Sequence, residues 1–230
     1  MKINCLGKGY IRLVDVMGND DTVVNAARVS FDKESEKYTD KQNDRLIDFL
    51  ARESHDSPFR HAVMQFEVYA PMMVVRQWEK YLIGSNNSEF GARNESSRRY
   101  ITEDEEFYIP SANEWRSYPK DVKQGSGEPL RLDKGISLTE NLINYIETGE
   151  QLYQEAMSLG VAPEQARLFL PAYGLYVRFR WTATLQTVAH LIKQRTAKDA
   201  QYEFRVYAEA IKEIAMDKFP VSLEALLKER

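Results

Sequence analysis

The feature that most constrains the fold is the spacing of apolar residues, which changes from every second residue to a helical period and back along the chain. Residues 62–68 and 175–182 alternate apolar and polar side chains, a pattern typical of half-buried strands. Residues 11–16 also predict a strand, with Ile11 and Leu13 on one face and Val14 and Val16 on the other. In the segment 175–182 four apolar residues share one face, and neither Pro nor Gly interrupts it. Helical segments lie between these strands. We therefore predict an α+β fold with a central, mostly antiparallel sheet flanked by helices.

Three of the helices have recognisable ends. Asp40 can cap the first helix, and Pro71 lies where the first turn of the second tolerates proline. Ser137 with Glu140 three residues later forms a capping box for the third helix, which Gly160 closes.

The C-terminal part of the chain continues the helical pattern. Pro163 starts a short helix that carries Arg167, and residues from about 184 to 218 predict one long helix or two consecutive helices. Residues 117–136 contain several Gly and Pro residues and predict a surface loop. Because strand-forming segments lie on both sides of this loop, we predict that residues 1–230 form a single domain.

The composition excludes several classes of protein. With one cysteine, Cys5, the chain cannot form an intrachain disulfide, which rules out a disulfide-stapled secreted scaffold. No apolar run is long enough to span a bilayer, and the N-terminus lacks the pattern of a signal peptide, so we expect a cytoplasmic protein. A net charge of −4 provides no overall attraction to nucleic acid, so phosphate binding requires a local arginine cluster.

Common catalytic signatures are absent from the sequence. It contains no Walker-type phosphate loop, no glycine-rich dinucleotide motif and no zinc-protease motif. A three-histidine metal site would need every histidine in the chain, His55, His61 and His190. Because isolated histidines are more often found at helix ends and core edges, we predict no metal site.

The most informative stretch is polar. Arg76-Gln77-Trp78 is followed, after fifteen residues, by Asn94-Glu95-Ser96-Ser97-Arg98-Arg99-Tyr100. A charged, solvated loop is one interpretation of this run. The other is an anion site, in which guanidinium groups bind phosphate bidentately and Ser97 adds a donor.

Two further arginines lie near the C-terminus. Arg167 is on the short helix, and Arg195 lies three residues after Ile192 and therefore on the same helix side as apolar residues. The side chain of Arg195 either extends along the apolar surface to reach water or lies at the rim of a buried pocket.

These residues give the chain a resemblance to the flavin-dependent thymidylate synthases over nearly its whole length. Four blocks in the same order carry the resemblance. They are residues 14–20 with Ala26-Ala27-Arg28-Val29-Ser30-Phe31, then His55-Asp56-Ser57-Pro58-Phe59-Arg60-His61, then Arg76-Gln77-Trp78 with Asn94-Glu95-Ser96-Ser97-Arg98-Arg99-Tyr100, and finally residues 167–201.

The resemblance implies an activity and its cofactors. The expected reaction is the reductive methylation of dUMP to dTMP, with FAD as tightly bound cofactor, NADPH as reductant and methylenetetrahydrofolate as one-carbon donor. Members of this family are homotetramers whose active sites are built from several subunits. The resemblance therefore also implies a homotetramer with shared active sites.

By matching position, the resemblance assigns residues to two ligands. Those expected to hold dUMP are Gln77, Lys80, Glu95, Ser97, Arg98, Arg99, Arg167 and Arg195. Those expected to line FAD are Ser30, Ser57, Lys80, Glu95, Thr184, Gln186 and His190. Arg195 is the expected catalytic residue, because it matches the arginine placed against the uracil ring, where a fixed cation stabilises developing negative charge.

The chain departs from the family motif Arg-His-Arg-x-x-Ser-x-Asn-Glu-x-Ser-x-Arg. Only its second half is intact, from Asn94 to Arg99. Counted from Trp78, the Arg-His-Arg positions fall on Lys80-Tyr81-Leu82, which makes Lys80 the expected substitute for the first arginine. The stretch before Asn94 is then about seven residues longer than the pattern.

Two alternatives to the enzyme remain at this stage. The missing Arg-His-Arg is compatible with a degenerate family member that binds flavin or nucleotide without turnover. A nucleic-acid-binding protein that uses Arg93, Arg98 and Arg99 is disfavoured by the net charge. Cys5 lies outside all four blocks, so we expect a mechanism without a cysteine nucleophile.

Overall fold

The computed structural model describes residues 1–29, 34–81, 93–95, 106–120 and 125–228. Their centre is an antiparallel sheet of five strands. In chain order these are β1 (Lys2–Asn4), β2 (Tyr10–Met17), β3 (Val63–Pro71), β4 (Arg93–Glu95) and β5 (Tyr176–Thr184). Their order across the sheet is β1-β2-β3-β5-β4, and every neighbouring pair is antiparallel. The predicted fold class is therefore confirmed, and each of the three predicted strands is present.

The described ranges also contain eight α-helices and three short 3-10 helices. The α-helices are α1 (Asp20–Arg28), α2 (Asp40–Arg52), α3 (Met72–Trp78), α4 (Leu132–Ser158), α5 (Pro163–Ala166), α6 (Leu185–Arg195), α7 (Tyr202–Lys218) and α8 (Pro220–Leu227). The 3-10 helices are Ser35–Lys37, Ser57–Arg60 and Arg167–Phe169. None of these helices is both long enough and apolar enough to cross a bilayer.

Two predicted helix starts were wrong. Helix α2 is capped by Thr39 and not by Asp40, because the Thr39 backbone N–H donates to the Gln42 side chain at 3.0 Å in a capping box. Helix α4 begins at Leu132, so the Ser137 box lies inside it. The loop predicted over 117–136 therefore ends at Arg131, and residues 121–124 of it lie outside the described residues.

The predicted C-terminal helical region is two helices, α6 and α7, separated by residues 196–201. The last helix, α8, was not predicted. Its N-terminus is held by the Asp20 carboxylate, which accepts hydrogen bonds from the backbone N–H groups of Val221 and Ser222 at 3.1 and 2.8 Å. A charge from the start of α1 therefore stabilises the start of α8.

The core lies on one face of the sheet and is rich in aromatic rings. Trp78 at the end of α3 is 1% exposed and packs edge-on against Phe179 and Trp181 of β5. It also stacks on Phe204 of α7, with ring centroids 5.1 Å apart. These contacts hold the ends of α3 and α7 against β5, which brings the functional segments of the chain together.

Candidate active site

The candidate site lies where the end of α3 meets the last turn of α6 and the first turn of α7. The Gln77 side-chain amide donates a hydrogen bond to the side chain of Gln201 at the start of α7. The Tyr81 hydroxyl donates to the side chain of Gln194 on α6 at 3.1 Å. Segments more than a hundred residues apart in the sequence therefore meet through polar side chains.

Arg195 is the cation of this site. Its guanidinium lies between two rings, 5.4 Å from the ring centroid of Tyr81 and 5.2 Å from that of Phe204. Its Nε–H donates to the Tyr81 hydroxyl. The two terminal nitrogens of Arg195 have no hydrogen-bond partner among the residues that the structure describes. The side chain is half-buried against these two rings. Its place at the rim of a buried pocket stays a prediction.

His190 lies one turn earlier on α6, beside the same tyrosine. The ring centroids of His190 and Tyr81 are 5.9 Å apart. Burial, with a smaller contribution from the positive charge of Lys193, holds the pKa of His190 below its usual value. The imidazole is therefore neutral at pH 7, and one ring nitrogen is free of a proton and can accept a hydrogen bond.

A second polar cluster lies at the opposite end of α6. The Nε–H of Arg60 donates to the side-chain oxygen of Gln186 at 2.6 Å, which joins the 3-10 helix Ser57–Arg60 to the first turn of α6. Ser57 is exposed at the start of that short helix. Gln186 and His190 are four residues apart, so they lie on the same side of α6 and about 6 Å apart along it. Both side chains are half-buried, and together they form one polar surface along the helix.

Thr184 begins α6 and is 2% exposed. Its hydroxyl accepts a hydrogen bond from the Thr187 backbone N–H at 3.3 Å and lies 3.1 Å from the Thr187 hydroxyl. The residue therefore acts as the N-cap of α6, and its predicted contact with FAD stays a prediction.

Strand β4 places the predicted substrate residue Glu95 at the sheet edge. Glu95 pairs with Phe179 of β5, and Asn94 pairs with Arg180. This part of the polar run is therefore a strand, whereas the sequence favoured no regular element there. Lys80 is exposed just beyond the end of α3.

Arg167 is not brought to Arg195 within one chain. It is exposed in the 3-10 helix Arg167–Phe169, which packs on α4, and its Nε–H donates to the Glu164 backbone carbonyl at 3.3 Å. Four other predicted site residues, Ser30, Ser97, Arg98 and Arg99, lie outside the described residues, so their roles stay predictions.

Three residues at the site, Tyr81, Gln194 and Gln201, have no predicted role. Gln194 and Gln201 flank Arg195 inside the last block of the resemblance, which was a usable signal. Tyr81 occupies the histidine position of the Arg-His-Arg motif when the motif is counted from Trp78, which was its only signal in the sequence. The tertiary structure shows that its hydroxyl meets Arg195.

Cys5 is not among the side chains that meet at Arg195. It follows β1 at one edge of the sheet, whereas β4, which carries Glu95, forms the other edge. Four strand spacings separate these two edges, or about 19 Å. Burial, opposed in part by a backbone hydrogen bond, raises the pKa of the Cys5 thiol to about 12, so the thiol stays protonated at neutral pH.

Sequence comparisons identify the family. A family model described as thymidylate synthase complementing protein matches residues 12–221. The flavin-dependent thymidylate synthase of Thermotoga neapolitana is 38% identical to this chain over 99% of the chain and 95% of its own length. This chain belongs to the flavin-dependent thymidylate synthase family. A family member from Thermus thermophilus is also 38% identical, over 98% of this chain and 78% of its own.

Solved structures agree with this family assignment. The UMP/dUMP methylase PolB of Streptomyces cacaoi, bound with 5-Br dUMP, has a TM-score of 0.81 and 28% identity, over 97% of this chain and 96% of its own. Its complex with 5-Br UMP has a TM-score of 0.79 and 29% identity, over 94% of this chain and 93% of its own. This chain therefore shares the fold of that UMP/dUMP methylase over nearly its whole length.

Proposed function

We propose that this protein catalyses the reductive methylation of dUMP to dTMP with methylenetetrahydrofolate, FAD and NADPH. The observation that carries the proposal is the environment of Arg195. Its guanidinium is a half-buried cation between two aromatic rings. The two terminal nitrogens of this guanidinium have no hydrogen-bond partner among the described residues. A guanidinium held this way in a low-dielectric site stabilises negative charge that develops on a bound base. The family membership of the chain supplies the identity of that base.

The nucleotide is held by residues from several elements. In this proposal Gln77, Lys80 and Arg195 face dUMP from the junction of α3 and α6. Glu95 joins them from the sheet edge, with Ser97, Arg98 and Arg99 following it in the chain. The two complexes of PolB with 5-bromo nucleotides support a uridylate as the substrate.

FAD is the proposed cofactor, and the polar residues along α6 fit an extended ligand. Gln186 with Arg60 lies at one end of this surface and His190 lies near the other, with a neutral imidazole that accepts hydrogen bonds. A guanidinium beside an amide suits a pyrophosphate, because it supplies charge and donors together. The cofactor set is Ser30, Ser57, Lys80, Glu95, Thr184, Gln186 and His190. When bound, the flavin supplies the hydride that completes the new methyl group.

The active form is proposed to be a homotetramer with shared sites. The 3-10 helix of Arg167 packs on α4, whereas Arg195 lies beside Tyr81 and Phe204. In this proposal a second subunit therefore contributes one of the two arginines to each dUMP site. Large apolar side chains are exposed along α4 and the turn that carries Arg167, as a subunit interface requires. They are Leu132, Ile136, Tyr145, Leu152, Leu168 and Phe169. The cytoplasmic location stays a prediction.

The first test is spectroscopic and uses the purified protein. It should be yellow, and its flavin absorbance should bleach when NADPH is added under anaerobic conditions. A colourless protein that cannot be loaded with FAD would contradict every flavin-dependent interpretation.

The second test measures methylation. Tritium should be released from C5-labelled dUMP only when methylenetetrahydrofolate is present. The replacement of Arg-His-Arg by Lys80-Tyr81-Leu82 favours one second candidate, a family member that binds flavin and nucleotide without turnover. Bleaching by NADPH without tritium release would select that candidate.

A further inference from the structure

Tyr81 connects the end of α3 to the last turn of α6 through its hydroxyl. The oxygen accepts a hydrogen bond from Arg195 Nε–H, and the hydroxyl proton is donated to the side-chain oxygen of Gln194 at 3.1 Å. The side chain is 3% exposed. One buried phenol therefore holds two consecutive residues of α6.

These contacts restrict how the guanidinium of Arg195 can turn. The hydrogen bond fixes Nε, and the rings of Tyr81 and Phe204 lie close to the planar group. An arginine has five N–H groups in a rigid fork, so fixing one of them orients the other four. The two terminal nitrogens are the ones without a partner in the described part of the chain, and their direction is set before any ligand binds.

The phenol is in the protonation state that this role needs. Burial raises the pKa of Tyr81 above its usual value, although the nearby Arg195 acts in the opposite direction. At neutral pH the Tyr81 hydroxyl is protonated, so it can donate a hydrogen bond to Gln194 while its oxygen accepts one from Arg195. Arg195 therefore keeps its full positive charge for the ligand, since no phenolate neutralises it.

We propose that Tyr81 is the positioning residue that orients Arg195 toward the pyrimidine base. It occupies the position of the histidine in the incomplete Arg-His-Arg motif, counted from Trp78. The inference rests on the proposed function, because the base is the group that Arg195 would face. A positioning role for Tyr81 explains how this chain can orient Arg195 although the Arg-His-Arg half of the family motif is absent.

The test compares Tyr81→Phe with the wild-type protein in two binding measurements. The ligands are dUMP and 5-nitro-dUMP, whose more acidic ring carries negative charge at neutral pH. Loss of one hydrogen bond to a charged group should weaken 5-nitro-dUMP binding about tenfold, while dUMP binding changes by less than about threefold. The kcat for tritium release should fall about tenfold with little change in KM. Equal weakening of both ligands, or no weakening, would overturn the positioning role.

Two controls separate positioning from folding. Tyr176→Phe removes a comparable buried hydrogen bond, from the Tyr176 hydroxyl to the Leu6 carbonyl at 2.8 Å, and should leave the ratio of the two affinities unchanged. In an Arg195→Lys background, Tyr81→Phe should cause no further selective loss of 5-nitro-dUMP binding, because the guanidinium that the hydroxyl orients is gone. Additive losses would show that Tyr81 does not act through Arg195.

The two proposals fail in different ways. If the wild-type protein releases no tritium but Tyr81→Phe selectively weakens 5-nitro-dUMP binding, the methylation proposal fails and the positioning role stands. If the wild-type protein methylates dUMP but the variant retains its affinities and kcat, only the positioning role fails. A wild-type protein that binds neither nucleotide overturns both.

Discussion

At the scale of single residues, the clearest contrast is between the arginine at the site and the cysteine outside it. Aromatic faces and a phenol oxygen replace water around the half-buried guanidinium of Arg195. Cys5 is held as a protonated thiol, with its Sγ 3.8 Å from the Ile3 carbonyl. These two settings are the ones that the proposed mechanism, with a fixed cation and no thiolate nucleophile, requires.

Replacing Cys5 by alanine should leave activity in place. The side chain is half-buried against the core, so we expect a small loss of stability, on the order of 1 kcal/mol, from the lost apolar contacts. Tritium release from labelled dUMP should stay close to the wild-type rate. A variant that folds, binds flavin and yet releases no tritium would show that the thiol takes part in the reaction.

Replacing Arg195 by alanine should abolish methylation while flavin stays bound. The guanidinium contacts Tyr81 and Phe204, at the end of α6 away from Gln186 and Arg60. Tritium release measures the first effect and the flavin absorbance of the purified variant measures the second. Joint loss of FAD and of the fold would instead identify Arg195 as a structural residue.

His190 should make the folded protein less stable as the pH falls. Burial and Lys193 hold its pKa in the folded state below the unfolded value of 6.5, so the unfolded state binds the proton more tightly. This contribution is fully present above pH 6.5 and is lost as the pH falls through the folded pKa. Urea unfolding at pH 7 and pH 5 should therefore show a smaller pH effect in His190→Gln than in the wild type. An identical pH effect would mean that the pKa of His190 is the same in the folded and unfolded states.

At the scale of elements, helix α4 shows how packing overrides local signals. Its first turn contains Gly135, which is buried, and a Cβ placed there would lie 1.8 Å from the Ala112 carbonyl oxygen. The loop that carries Ala112 therefore passes directly over the helix. Nearby, the Thr139 hydroxyl donates to the Pro110 carbonyl at 2.9 Å, which ties the same loop to the helix.

Gly135→Ala should destabilise the protein, although alanine is the better helix former by about 1 kcal/mol. The Ala112 backbone cannot give way as a flexible side chain would, so we expect a net loss of about 1–3 kcal/mol in the free energy of unfolding. Ser137→Ala is the matched control, because Ser137 is exposed in the same helix and caps nothing, and it should change stability little. A stabilised Gly135→Ala variant would contradict the close approach of the loop.

At the scale of the whole molecule, a single chain separates two arginines that the proposed site needs together. Arg167 lies on the α4 side of the molecule and Arg195 at the junction of α3, α6 and α7. The exposed apolar residues of α4 and of the neighbouring turn leave surface that a second copy of the chain would cover.

Mixed oligomers test this arrangement. Arg167→Ala and Arg195→Ala should each be inactive alone, but co-expressed with different affinity tags they should form mixed tetramers that regain activity. With random mixing and one arginine from each of two subunits, about a quarter of the sites would contain both wild-type residues. Light scattering checks the tetramer, and tritium release measures the recovery. Tetramers that mix without recovering activity would place both arginines of a site in the same subunit.

The spacing of apolar residues was sufficient to predict a helix or strand wherever one face of that element packs against the core. The alternation in residues 62–68 and 175–182 predicts β3 and β5, because one side of each strand is buried. The same reasoning predicts α3, α6 and α7. It failed for the start of α4, where a local capping box at Ser137 competes with tertiary contacts to residues 110–112. It also missed the short edge strands β1 and β4, whose residues are defined by their pairing partners and not by their own pattern.

The sequence by itself determined the fold class and the family, because strand and helix periodicity and ordered motif blocks are properties of neighbouring residues. It also marked Arg195 as the predicted catalytic residue. The tertiary structure alone decided what surrounds Arg195. Tyr81, Gln194, Gln201 and Phe204 meet there because Trp78 packs α3 and α7 against β5, which brings together residues that lie more than a hundred positions apart. The direction of a guanidinium depends on such distant neighbours, so no local pattern in the chain could have predicted it.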